Sequence, residues 1–98
     1  MKLHVIVRKD LEWPHRAVQG GHAVEEYHAK TPITSRKTGT LVYLGVENEK
    51  ELRKLKELLD SEYGMHTVAF HEPFWQNSMT AFAVEGKDNP LIALLQLL

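Results

Sequence analysis

Ninety-eight residues, 43% of them apolar and 26% charged, suit one folded domain and exclude disordered, collagen-like and coiled-coil classes. The absence of cysteine excludes a disulfide scaffold, a thiol nucleophile and any cysteine-ligated metal centre. The net charge of −1 divides into +3 over residues 1–40 and −4 over residues 41–98, which permits a basic face on a near-neutral chain.

The β-branched run Leu3-His4-Val5-Ile6-Val7 predicts a buried first strand. It stands among charges and is too short for the apolar core of a signal sequence, and no stretch approaches the ~20 residues of a membrane span, so a cytoplasmic protein is expected. After a loop from Arg8 to Trp13, Pro14 opens a helix that runs from His15 to about Ala29, with Ala17, Val18, Gly21, Val24 and Tyr27 as its apolar stripe. Gly20-Gly21 costs that helix roughly 1 kcal/mol per residue against alanine, which predicts the close approach of another backbone or a ligand. Lys30 to Gly39 reads as a polar loop.

Thr40 to Val46 predicts the second strand. Asn48 and Glu51 then form a capping box for a helix whose buried face is Leu52, Leu55, Leu58 and Leu59, ending at Gly64. Thr67–Phe70 and Thr80–Val84 predict two more strands, joined by residues 72–79. Asp88 or Asn89 caps a last short helix with Pro90 in its first turn. The expected architecture is an α/β three-layer sandwich with a mixed four-stranded sheet in the order β-α-β-α-β-β-α, forming one domain over residues 1–98.

Two clusters invite chemistry. His15, Gln19, His22 and Glu26 share one face of the first helix, and His15 and Arg16 stand at its start, where free N–H groups attract anions. The plain explanation of that face is a solvated helix side, with His22 a satisfied interior histidine. Six histidines raise the question of a metal, but neither His22 with Glu26 nor Glu25 with His28 forms a recognised ligand motif, so no metal is expected. The second cluster, His71-Glu72-Pro73 followed by Trp75-Gln76-Asn77-Ser78, lies at a strand end, where α/β sheets gather ligand groups. A carboxylate there can orient water or act as general base. His71, Glu72 and Ser78 match a triad by residue type alone, with neither the spacing nor the sharp glycine-flanked turn a serine nucleophile uses.

The stretch His15-Arg16-Ala17-Val18-Gln19-Gly20-Gly21-His22-Ala23 resembles the Lys-x-x-x-Gln-x-x-His-Ala helix of the type 2 (archaeal/eukaryotic-type) peptidyl-tRNA hydrolases. Thr80-Ala81-Phe82-Ala83-Val84-Glu85 is similar to that family's Thr-Val-Leu-Ala-Ile-Gly strand, and Leu95-Gln96-Leu97-Leu98 to its C-terminal ending, so the likeness spans essentially the whole chain. The resemblance implies hydrolysis of the ester between a peptide, or an amino acid, and tRNA by activated water, with no cofactor and no metal. Gln19 and His22 match their motif positions, and the family's lysine falls at His15, with Arg16 beside it. The family's aspartate falls at Glu72 when the loop before Thr80 is taken as shortened by about four residues, and at Val68 when no gap is allowed. The family's loop threonine has no counterpart.

The resemblance thus implies His15, Gln19 and Glu72 as catalytic residues, Glu72 orienting water and His15 or Arg16 facing the oxyanion. Lys9, Arg16, Arg36 and Lys37 are expected on tRNA phosphates, with His22 and Asn77 also toward the substrate. The expected partner is tRNA or peptidyl-tRNA, with no membrane involved; a homodimer is allowed by the sequence and not set by it. The alternative is a non-catalytic module on the same fold that recognises a nucleotide, RNA or protein, and a third reading is a small-molecule-binding regulatory domain.

Overall fold

A computed structural model of the chain describes residues 2–32, 39–86 and 89–98. The elements are β1 (Lys2–Arg8), α1 (Trp13–Lys30), β2 (Thr40–Val46), α2 (Glu49–Ser61), β3 (Thr67–Glu72), a single 3-10 turn (Pro73–Trp75), β4 (Ser78–Glu85), α3 (Pro90–Ala93) and β5 (Gln96–Leu97). They build one five-stranded sheet in the order β3-β4-β1-β2-β5. β1 and β2 run parallel, and the β1–β4, β3–β4 and β2–β5 pairs are antiparallel, so the sheet is mixed.

Strand alternation divides the core between the two faces of the sheet. Leu3, Val5 and Val7 of β1 join Ala81 and Ala83 of β4, Val68 of β3, and Ala23 and Tyr27 of α1 in one cluster. Ile6 of β1 joins Phe82 and Val84 of β4, Leu52 and Leu59 of α2, and Ile92 of α3 in the other. Helices therefore cover both faces. The small residues sit on the α1 side, where that helix lies close to the strands; Phe82 and the leucines fill the α2 side.

The four-stranded expectation is corrected to five strands, with a terminal β added to the element order. Leu94, Leu95, Leu97 and Leu98 are expected to follow Pro90 in the last helix, but a short leucine-rich run has no decisive period, and the helix instead ends at Ala93. Asn89 caps α3 by accepting from the N–H groups of Leu91 and Ile92 at 2.8 and 3.3 Å, and α3 stops after one turn. The chain then pairs with β2 through Gln96 and Leu97, and the Leu98 N–H donates to Tyr43 O at 3.1 Å. Backbone groups on the outer edge of β2 thereby gain partners that a longer helix would have denied them.

α2 starts as expected, the Asn48 side chain accepting from the Glu51 N–H at 3.0 Å. Of its expected face, Leu52 and Leu59 are fully buried while Leu55 and Leu58 are only partly so, and the helix ends at Ser61. α1 departs from its expected stripe. Its buried residues are Gln19, Gly20, Ala23 and Tyr27, while Val18 is 53% exposed. The helix is rotated so that a glutamine enters the interior and a valine leaves it. Gly20 explains part of that rotation, since a Cβ there would lie 2.4 Å from the Tyr43 ring of β2. The close approach at Gly20 is made by an aromatic side chain rather than a backbone, and a Cβ at Gly21 would meet nothing within 4 Å.

Candidate active site around Gln19

The rotation of α1 places Gln19, 2% exposed, over the carboxyl ends of β1 and β3. A buried amide needs partners for both its ends. The Gln19 Nε2 group donates to Glu72 Oε1 at 3.0 Å, and Gln19 Oε1 accepts from the Thr80 hydroxyl at 2.7 Å. A carboxylate oxygen accepts and a hydroxyl can donate, which matches the amide with its nitrogen toward Glu72 and its oxygen toward Thr80. Three elements, α1, β3 and β4, thus meet in one hydrogen-bonded chain from hydroxyl through amide to carboxylate.

Thr80 reaches this face because of a β-bulge. β4 pairs with β3 as Phe70 with Ala81 and then His71 with Met79, so Thr80 has no cross-strand partner. The extra residue breaks alternation: Thr80 and Ala81 both turn toward α1, while Met79 and Phe82 pack on the α2 side. The sequence reading placed Thr80 in a strand without assigning it a site role. Its signal was a lone hydroxyl between Met79 and the apolar run from Ala81 to Val84.

Alternation along β3 sends Val68, Phe70 and Glu72 to the α1 side and His71 to the other. His71 accordingly feels α2: partial burial, and then Arg53 and Lys56, push its pKa below the usual histidine value. His71 and Glu72 therefore do not converge on Ser78. On the α1 side His22 stacks on Phe70, ring centroids 4.5 Å apart, and its Nδ1 lies 3.2 Å from Glu25 Oε1. His22 is thus at the margin of the Gln19 chain, half-exposed and held by an aromatic face.

His15 stands one turn before Gln19, edge-on to Trp75 at 5.3 Å between ring centroids. No hydrogen bond or ion pair joins it to Glu72, whose side chain bonds Gln19 instead. Trp75 ends the 3-10 turn, which leaves Phe74 91% exposed. Gln76 and Asn77 follow at φ 55° and 59°, left-handed values unusual for side chains other than glycine. The Asn77 N–H donates to Glu72 O at 2.9 Å, closing the loop on the residue that bears the carboxylate.

The cations are placed differently. The Arg16 guanidinium turns inward, donating to the carbonyls of Lys9 and Leu11 and lying 4.7 Å from the centroid of the Trp13 ring. It ties the β1–α1 connection to the first turn of the helix. Lys9 lies across Gly45 and pairs with Glu47 at 3.0 Å, lining a groove with Asn48, Glu51 and Leu94 away from Gln19. Arg36 and Lys37 lie outside the described residues. The site therefore joins Gln19 to Glu72 directly, sets His15, His22 and Asn77 around them, and leaves Lys9 and Arg16 in separate bonds.

Behind the sheet, Arg8 makes a two-pronged pair with Asp10, both contacts 2.9 Å, and this guanidinium holds the Asp10 carboxyl below the usual carboxylate range. Burial opposes ionisation of Glu49, but the Met79 N–H, Arg53 and Arg8 outweigh it and hold its carboxyl below the usual value too. Among the described residues, no group of three histidine or acidic side chains stands close enough to hold a metal ion, and no helix is long and apolar enough to cross a membrane. No protein-family model matches the chain, and no curated protein matches it.

Proposed function

We propose that the chain is a type 2 peptidyl-tRNA hydrolase-like protein that hydrolyses the ester between a peptide, or an amino acid, and tRNA by activated water. The observation that carries this reading is the Thr80–Gln19–Glu72 chain, in which the motif glutamine meets the carboxylate of the shortened loop. Val68, the alternative to Glu72 in an ungapped alignment, is buried in the core and supplies no polar atom. A glutamine this deep, with each end committed to a different strand, is a costly arrangement for packing alone.

In this mechanism Gln19 holds one oxygen of Glu72, and the other takes a proton from water as that water attacks the ester carbonyl. The acyl–oxygen bond to the ribose then breaks, and the proton passes to the departing 3′ oxygen. His15 and the aromatic turn of Phe74 and Trp75 border the site and receive the end of the tRNA, whose unpaired bases stack on exposed aromatic rings. Cytoplasmic tRNA chemistry is the setting this reading assigns.

A binding module on the same fold is the second reading, favoured by the inward engagement of Arg16, which leaves the oxyanion without that cation. Time courses of peptide release from peptidyl-tRNA by wild type, Glu72→Ala and His15→Ala separate the two. The hydrolase reading expects release by wild type, a loss of at least about a hundredfold in Glu72→Ala and a smaller loss in His15→Ala. No release by micromolar wild type, with deacylated tRNA still bound in a salt-dependent way, would establish the binding module instead.

A further inference from the structure

The bulge that delivers Thr80 to Gln19 is held from the opposite face of the sheet. The β1–β4 ladder ends at Val7 with Ala81, so Met79 lies beyond its backbone pairing. Two side chains meet Met79 there: its N–H donates to Glu49 Oε2 at 2.7 Å, and its carbonyl accepts from the Arg8 guanidinium at 3.3 Å. That carbonyl belongs to the peptide bond joining Met79 to Thr80. Arg8 is fixed by its two bonds to Asp10, and Glu49 by two contacts from Arg53 at 3.1 and 3.0 Å. The clamp's two members approach each other at 4.0 Å.

We infer that Arg8 and Glu49 are positioning residues for the Gln19 site, acting through the Met79–Thr80 peptide on the far side of the sheet. A bulge is a local choice of register, and a slip of one residue in β4 would turn Thr80 away from α1. The clamp grips both backbone groups of the residue before the bulge, which selects the register that points the hydroxyl at Gln19 Oε1. With Thr80 in place the amide cannot turn over, and its nitrogen stays on Glu72. The simpler role, closing the end of the sheet, would leave Gln19 indifferent to Glu49. The kinetic consequence of the clamp rests on the hydrolase reading; the geometric consequence does not.

The test is NMR of the Gln19 side-chain amide in the full chain, read as its chemical shifts and its proton exchange with water. Glu49→Asp keeps a negative charge at the start of α2 but falls one methylene short of Met79. It should speed exchange of the Gln19 amide by about tenfold or more and move its shifts, whereas Glu49→Gln, whose amide oxygen can accept from Met79, should restore both toward wild type. Asn48→Ala weakens the same helix start without touching Met79 and should leave the signal in place. An unchanged Gln19 amide in Glu49→Asp, or an equal change in Asn48→Ala, overturns the clamp. In a hydrolysing enzyme Glu49→Asp should lower kcat by about ten- to a hundredfold at unchanged KM, and a change in KM alone would equally overturn it. An inactive wild type defeats the hydrolase reading and leaves the amide result to judge the clamp.

Discussion

The two long helices solve the same problem, covering one face of a sheet, in opposite ways. α2 buries Leu52 and Leu59 on an apolar stripe, begins at a capping asparagine and carries charged pairs such as Lys56–Asp60 on its outer side. α1 buries a glutamine, a glycine, an alanine and a tyrosine, leaves Val18 outside and begins without a side-chain cap. α2 is what stability asks of a helix. α1 departs from those rules at the residue that links a carboxylate to a bulged threonine, which is where a functional site is expected to depart from them.

Breaking the α2 face should therefore cost the most stability and leave the Gln19 chain intact. Leu59→Ala, at a fully buried position, is expected to lose about 2–5 kcal/mol in urea unfolding. Gln19→Leu is the counterpart on α1, expected to lose about 1–3 kcal/mol because the Thr80 hydroxyl is left buried without its short bond. Adding Thr80→Val to Gln19→Leu removes a donor left with only its long 3.5 Å contact to Phe70 O and should recover much of that loss, while the hydrolase proposal expects both variants to lack peptide release. That separation of stability from activity is the outcome the contrast between the helices requires.

The adjacent glycines sharpen the same contrast at single-methyl resolution. Gly20→Ala drives a methyl into the Tyr43 ring and should destabilise by about 1–3 kcal/mol despite alanine's better helix propensity. Gly21→Ala meets nothing within 4 Å and should stabilise by up to about 1 kcal/mol. Equal effects at the two positions in thermal unfolding would contradict the packing described.

The smallest expected effect concerns pH. Asp10 and Glu49 both hold their protons less tightly in the folded chain than in the unfolded one. Their contribution is present above the unfolded carboxylate pKa, near 4, and is lost as pH falls through their lower folded values. Asp10→Asn should lower stability slightly at neutral pH, leave it nearly unchanged below the folded value, and so flatten the acid limb of the profile.

The contrast also explains what was legible in the sequence. α2 could be read because its period, cap and charges are local and agree with one another. β1, β2 and the helix-opening Pro14 were legible for the same reason. The rotation of α1 was not, because it is set by partners 53 and 61 residues away in Glu72 and Thr80 and by the Tyr43 ring. β5 was missed because an apolar run of leucines carries no period, and only the open edge of β2 decides its conformation. Gln19 and Glu72 were each named on the resemblance, but the pairing expected there was His15 with Glu72, and the parts of Thr80, Arg8 and Glu49 depend on a bulge that no spacing announces.

The most direct test of the account is single-turnover release of peptide from peptidyl-tRNA by Glu72→Gln beside wild type. The carboxamide keeps the shape of the side chain and can still accept from Gln19, but it cannot take a proton from water. If the chain is the hydrolase proposed, the fold and tRNA binding stay unchanged and release slows by at least about a hundredfold. Release by Glu72→Gln at the wild-type rate would contradict the account.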